Sequence, residues 1–342
     1  MLDKVYERQA AEGRPKDLEE AVEIGDARLK KMDRLLSWTG LPFNIPIPEG
    51  IGVKLHDLYF PSPLTLSSFK DDLHIMYLWM RLGLGGATLK TTMHDKRDGN
   101  PRPRLQEVGT NGVYCLLNAM GLPGKGAEAA ATNPANKLLF RMGRPVGISI
   151  GGSSLEEYGA VFDIWNHYLS LRPAGDQYYF EINISCPNTP DGQQIAKHTP
   201  LLEELLRNVR RKTSKVIGVK LSPDQSNESI ANCAWIAHEH HPSYVNLGNT
   251  SFRKCQEVGL PSDAISKGGG GFSGPRLYHR TLQMIDLVSS ISIPIIATGG
   301  IDSAQKVREV RDHGATLVGM ATAVVQDMYC IPRINYELAK KK

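Results

Sequence analysis

The chain has 342 residues, 41% of them hydrophobic and 22% charged, with a formal net charge of only +4, so it can bury a full core as one large domain or two medium ones. Its basic runs, Arg207–Lys215 and Lys340–Lys342, do not interleave with aromatics, which argues against a nucleic-acid surface. The five cysteines, at 115, 186, 233, 255 and 330, are odd in number and lack metal-ligand spacing, and no apolar run reaches signal-peptide or membrane-spanning length. Free thiols in a cytoplasmic setting, no metal and no membrane span are therefore expected.

In chain order, the first segment is unlike the rest. Leu18–Trp38 is charged and helical in pattern, interrupted by one glycine, Gly25, and Val22, Ile24, Leu29, Met32, Leu35 and Leu36 form a partial apolar stripe. Such a helix packs on the outside of a larger domain or offers a surface to a partner, a membrane or a quinone. Pro46, Pro48, Gly50 and Gly52 then break the pattern, so residues 1–45 read as a helical extension and 46–342 as the main domain. Strands are predicted at Leu64–Leu66, Gly86–Lys90, Val146–Ile150, Tyr178–Ile184, Val216–Leu221, Ser243–Leu247, Ile293–Thr298 and Thr316–Met320. Helical patterns lie between them. In Pro200–Lys215, Thr199 is the expected cap, with Leu201, Leu202, Leu205, Leu206 and Val209 on one face; Ser303–His313 closes at Gly314. Eight strands alternating with helices predict a (β/α)8 barrel. A doubly wound sheet would normally carry a glycine-rich dinucleotide fingerprint after its first strand, and none follows a plausible strand here.

Barrel enzymes build their sites at the C-terminal strand ends, and here those ends collect polar groups. The fourth strand runs into Asn183-Ile-Ser-Cys-Pro-Asn188, placing Cys186 between two carboxamides suited to an imide or amide ring. Lys90 closes the second strand and Lys220 the fifth. A lone lysine there is an ordinary snorkelling side chain, whereas two facing one mouth can stabilise an anion or a reduced cofactor. Thr298-Gly299-Gly300 and Met320-Ala321-Thr322 end the last two strands, and a glycine pair with exposed N–H groups beside a second such turn suits a phosphate. The run Gly268–Gly271 adds a pliable loop.

These blocks, with Lys90–Arg104, Asn118-Ala-Met-Gly-Leu-Pro123, Val219-Lys-Leu-Ser-Pro223, Asn246-Leu-Gly-Asn-Thr250 and Ile296–Ile301, occur in the order found in the dihydroorotate dehydrogenases, which the chain resembles over roughly residues 55–335. The resemblance implies FMN at the barrel mouth and dihydroorotate or orotate stacked on its ring. It also implies Cys186 as catalytic base, assisted by Lys90. Substrate contacts would come from Lys90, Asn118, Met120, Gly121, Leu122, Asn183, Asn188, Asn249 and Thr250. FMN contacts would come from Ser67, Ser68, Lys90, Thr91, Asn183, Lys220, Asn246, Gly271, Gly299, Gly300, Ala321 and Thr322. A cysteine base resembles the largely soluble class of the family, for which a homodimer is expected; the N-terminal extension departs from that class and leaves peripheral membrane association open. Phe69 is a second departure, because the family has a small residue there followed by glycine, and a phenylalanine would crowd the flavin. The loop Pro190–Gln194 is a third. Alternative readings are an FMN barrel acting on another dihydropyrimidine such as dihydrouracil, and a flavin-binding barrel without turnover. The oxidant is left open among fumarate, a quinone and NAD; the NAD route needs a partner subunit, because no iron–sulfur motif occurs here.

Overall fold

The computed structural model describes residues 2–36, 39, 42–110, 112–184, 195 and 198–340. Eight parallel strands close into a barrel: β1 (Leu64–Leu66), β2 (Gly86–Thr92), β3 (Val146–Ile150), β4 (Tyr178–Asn183), β5 (Ile217–Leu221), β6 (Ser243–Leu247), β7 (Ile295–Thr298) and β8 (Leu317–Met320), with β8 pairing back onto β1. The expected (β/α)8 barrel is present, and no strand boundary moves by more than two residues. Strands covered by helices outside and side chains inside read as unbroken apolar runs, and nearly every strand residue here is buried.

Alternation along each strand sends every second side chain inward. At the closed lower end Tyr179 and Tyr244 meet edge to face at 5.8 Å. Glycine opposite them is obligatory, since a Cβ on Gly218 would sit 2.0 Å from the Tyr244 ring. An antiparallel hairpin, Val53–Leu55 with Leu58–Phe60, plugs this end and packs Leu55, Leu58 and Phe60 against the tyrosines, Ile296 and Leu317. At the open end the loops after β2 and β6 form a four-stranded antiparallel sheet, in the order Ser251–Lys254, Gly269–Ser273, Val113–Asn118, Leu105–Thr110.

The helix expected at Pro200–Lys215 runs Thr199–Arg210. Its N-cap is His198 rather than Thr199, with Pro200 in the first turn as anticipated. It stops early because the Arg210 guanidinium collects the carbonyls of Thr213, Lys215, His240 and Pro242, which bends the chain into β5. The second helix is Ala304–Asp312, capped by the Ser303 hydroxyl and left through Gly314 at φ +113°.

Two helices precede the barrel, α1 (Leu2–Ala11) and α2 (Leu18–Leu36), of which the sequence pattern anticipated the second. Both pack beside the mouth. Val5, Leu18 and Ala21 join Leu116 of the mouth sheet, Leu29 and Met32 touch the barrel core, and Leu35 stays exposed. The rest of the contact is ionic. Asp17 and Glu23 hold Arg102, Asp33 holds His74 and Arg81, Lys30 holds Asp72, and Asp26 holds Lys70. Glu19 takes the Arg104 fork through two bonds of 2.8 Å.

These pairs differ in value. At Asp26 burial outweighs Lys70 and raises the carboxyl, so that pair returns little. At Glu19 burial pushes the same way, but Arg104, followed by Arg102, overrides it and holds the carboxyl below its ordinary 4.5. A depressed carboxyl stabilises the fold above its unfolded value and loses that stabilisation as pH falls through the folded one. Glu19→Gln should therefore cost about 2–3 kcal/mol at pH 7, less than the ~3–5 of a fully buried pair. Urea titrations of variant and parent should converge as the pH drops below the ordinary carboxylate value.

Candidate active site at the barrel mouth

The mouth opens into a cleft between the upper strand ends and the loops above them. Its floor is the upper layer of inward-facing strand residues. Asn183 donates to the Thr91 hydroxyl at 2.8 Å, and Thr91 lies 2.9 Å from Ser149. On the other side Lys220, only 5% exposed, donates to Ser68 at 3.1 Å. Ser68 in turn donates to Glu181, which also accepts from Asn246 at 2.8 Å and Tyr244 at 3.2 Å. Burial first, and the Glu181 charge second, push the Tyr244 phenol well above its usual range, so it stays a donor.

Lys90 is held differently. Its ammonium is 3.4 Å from Asp71, whose side chain is 66% exposed. Above it the roof brings Asn118, Met120, Leu122, Asn249 and Thr250 to the cleft. Leu122 is at φ +53°, an uncommon conformation for a branched side chain.

At the far end the backbone carries the site. Gly299 and Gly300 have φ of +135° and +73°. A Cβ on Gly299 would lie 2.5 Å from the Thr281 hydroxyl, and one on Gly300 would lie 2.7 Å from the Tyr278 nitrogen. The turn therefore has no room for side chains and leaves bare backbone facing Ala321, Thr322 and Ser273–Pro275 across the cleft. Such a surface suits a phosphate.

A family model described as dihydroorotate dehydrogenase matches residues 51–341. The chain belongs to the dihydroorotate dehydrogenase family. It is 30% identical to a dihydroorotate dehydrogenase (quinone) of Gloeobacter violaceus, over 89% of this chain and 84% of that one. It is 31% identical to the catalytic subunit of dihydroorotate dehydrogenase B (NAD(+)) of Halalkalibacterium halodurans, over 75% and 81%. The Eimeria tenella DHODH solved with ferulenol shares the fold, with a TM-score of 0.74 at 18% identity, covering 90% of this chain and 89% of that one.

For this family member, the cleft gathers Ser67, Ser68, Lys90, Thr91, Asn118, Met120, Leu122, Asn183, Lys220, Asn249, Thr250, Gly299, Gly300, Ala321 and Thr322 of the expected site. Three expected residues stand behind the lining. Asn246 lies under the floor, between Glu181 and Thr298. Gly271 sits in the mouth sheet, its carbonyl taken by Asn118. Gly121, at φ +72°, turns the chain against Asn100. Cys186 and Asn188 lie outside the described residues, as does the loop Pro190–Gln194. Phe69 lines the cleft, but its ring stacks on Trp79 at 5.9 Å, so the aromatic bulk has a partner of its own. Glu181 was not anticipated; its only sequence signal is an acid alternating with Tyr179 and Asn183 in an apolar strand. Among the described residues no helix is long and apolar enough to cross a membrane.

Gly300→Ala should destabilise the protein by about 2 kcal/mol or more, since it combines a left-handed backbone with contact against immovable main chain. Denaturant midpoints of the two proteins measure the loss.

Proposed function

We propose that this enzyme oxidises dihydroorotate to orotate in pyrimidine biosynthesis, with FMN as its resident cofactor and Cys186 as the base that takes the C5 proton. The observation that carries the reading is the convergence of Lys90, Lys220 and three carboxamides, Asn118, Asn183 and Asn249, on one cleft of a barrel of this family.

The cleft suits FMN in three respects. The Ser67 hydroxyl is buried at its edge and finds no hydrogen-bond partner among the described residues, which leaves it available to a ligand. The Gly299–Gly300 turn, with Ala321 and Thr322 opposite, offers bare backbone to the phosphate. Lys220 and Ser68 would meet the polar edge of the ring system. When bound, FMN supplies the acceptor for the hydride leaving C6.

The protein's own part is to hold the substrate, neutralise it and move one proton. Lys90 presents a cation to the substrate carboxylate, and the Asp71 carboxylate, being exposed, gives way at little cost. The carboxamides can both donate to and accept from the ring's imide edge, which a metal site would not require. The C5 proton is weakly acidic, so the base must work within hydrogen-bond reach of it, and a thiolate suits that task near neutral pH. The relatives' names include both quinone and NAD(+), so the oxidant is to be assigned by anaerobic reduction followed by reoxidation with fumarate, a quinone and NAD in turn.

Cys186→Ala should bind FMN as the parent does, yet slow its bleaching by dihydroorotate about 10²–10⁴-fold; rapid bleaching would remove Cys186 from the mechanism. Substrate choice is tested separately. Orotate should perturb the flavin spectrum and uracil should not, and Lys90→Met should weaken orotate binding about tenfold or more, the value of one charge-assisted contact. Equal responses to orotate and uracil would point to another dihydropyrimidine.

A further inference from the structure

Glu181 is a buried carboxylate of the barrel interior that the proposed chemistry leaves unused. It is fully buried at mid-barrel on β4, level with Ser149 of β3 and Gly218 of β5. A buried carboxylate is tolerated only when its charge and lone pairs are met. Here three groups donate to it: the Ser68 hydroxyl, the Tyr244 phenol and the Asn246 amide. The amide's orientation is set from its other side, because Thr298 donates to its oxygen at 2.8 Å. The donor set suits the ionised carboxylate.

The counter-charge is Lys220, one hydroxyl away. Ser68 gives its proton to Glu181 and its lone pair to the Lys220 ammonium, at 3.1 Å in each bond. The hydroxyl thus keeps the two charges from closing into a direct pair lower in the barrel. It sits at the end of β1, so the ammonium is held at the level of the cleft floor.

We infer that Glu181 is a positioning residue, which through Ser68 fixes the Lys220 ammonium at the floor of the cleft, where it favours the reduced, more electron-rich form of the cofactor. The inference rests on the FMN reading above. Glu181 touches neither cofactor nor substrate; it acts through Lys220. It also accounts for Gly218 and Tyr244. The missing side chain at 218 makes room for the phenol ring that delivers the third donor.

The test is the midpoint potential of the bound flavin, together with FMN affinity measured by fluorescence quenching on apoprotein. Glu181→Gln keeps the volume and the Asn246 and Tyr244 neighbours but removes the charge. It should weaken FMN binding about tenfold, equivalent to ~1.4 kcal/mol, and lower the potential, because the ammonium loses the anchor that reaches it through Ser68. Ser68→Ala removes the bridge together with the hydroxyl's own contact to the ring system, and guards against a Glu181 variant that does not fold. It should lower the potential in the same direction, and the double variant should be no worse than the poorer single one, as expected of residues acting in one chain. A raised potential in Glu181→Gln would show that the carboxylate merely opposes charge on the flavin, and an unchanged one that it only packs the barrel; either overturns the inference. An unchanged potential in Ser68→Ala would overturn the bridge. If the parent protein binds no FMN, the cofactor reading fails instead, and the two failures are told apart by the parent alone.

Discussion

A closed parallel barrel has an interior that its strands must fill with every second side chain, and the rest of this molecule follows from how that space is divided. The lower end is filled by Tyr179, Tyr244 and the Leu55–Phe60 plug, with glycines opposite the rings. The upper end is filled with hydroxyls, carboxamides, the Glu181 carboxylate and the Lys220 ammonium, bonded to each other from β1 to β7. An apolar upper layer would be the cheaper way to stabilise a barrel. Polar filling there costs desolvation that only near-complete hydrogen bonding offsets, and it gives the cleft a floor whose polar groups are fixed before any ligand arrives.

The strands were legible in the sequence because burial on both faces leaves a simple trace. Runs such as Val146–Ile150 and Ser243–Leu247 are buried along their whole length, and proline and glycine bracket them. The mouth sheet and the lower hairpin were not legible. Their strands are short, and their partners are far away in sequence: Gly271 pairs with Asn118, and Phe60 seals against Tyr244. The α2 helix was visible by pattern, but its attachment was not. Its apolar stripe is thin, and the pairs that seat it join residues 17–33 to residues 70–104.

The site divides in the same way. Residues carried by contiguous motifs, such as Asn183, Lys220, Gly299 and Thr322, fall around one cleft. Phe69 looked like an obstacle because its neighbour in space, Trp79, is ten positions further along and faces it only after α3 (Leu73–Arg81) turns back. Glu181 escaped notice for a related reason. An acid in an apolar strand invites attention only when its partners are known, and these come from positions 68, 244 and 246.

The two lysines at the mouth show what this arrangement achieves. Both end barrel strands, and strand position alone does not tell them apart. Lys90 faces a well-exposed carboxylate at 3.4 Å, a contact that water competes with and that contributes little. In the proposed reaction its ammonium exchanges Asp71 for the substrate carboxylate. Lys220 is buried and joined through one hydroxyl to a carboxylate that three donors hold in place. Moving it would strand a buried charge. A loosely paired cation suits a ligand that comes and goes, and a fixed one suits a cofactor that stays, which is the division of roles proposed for the two lysines.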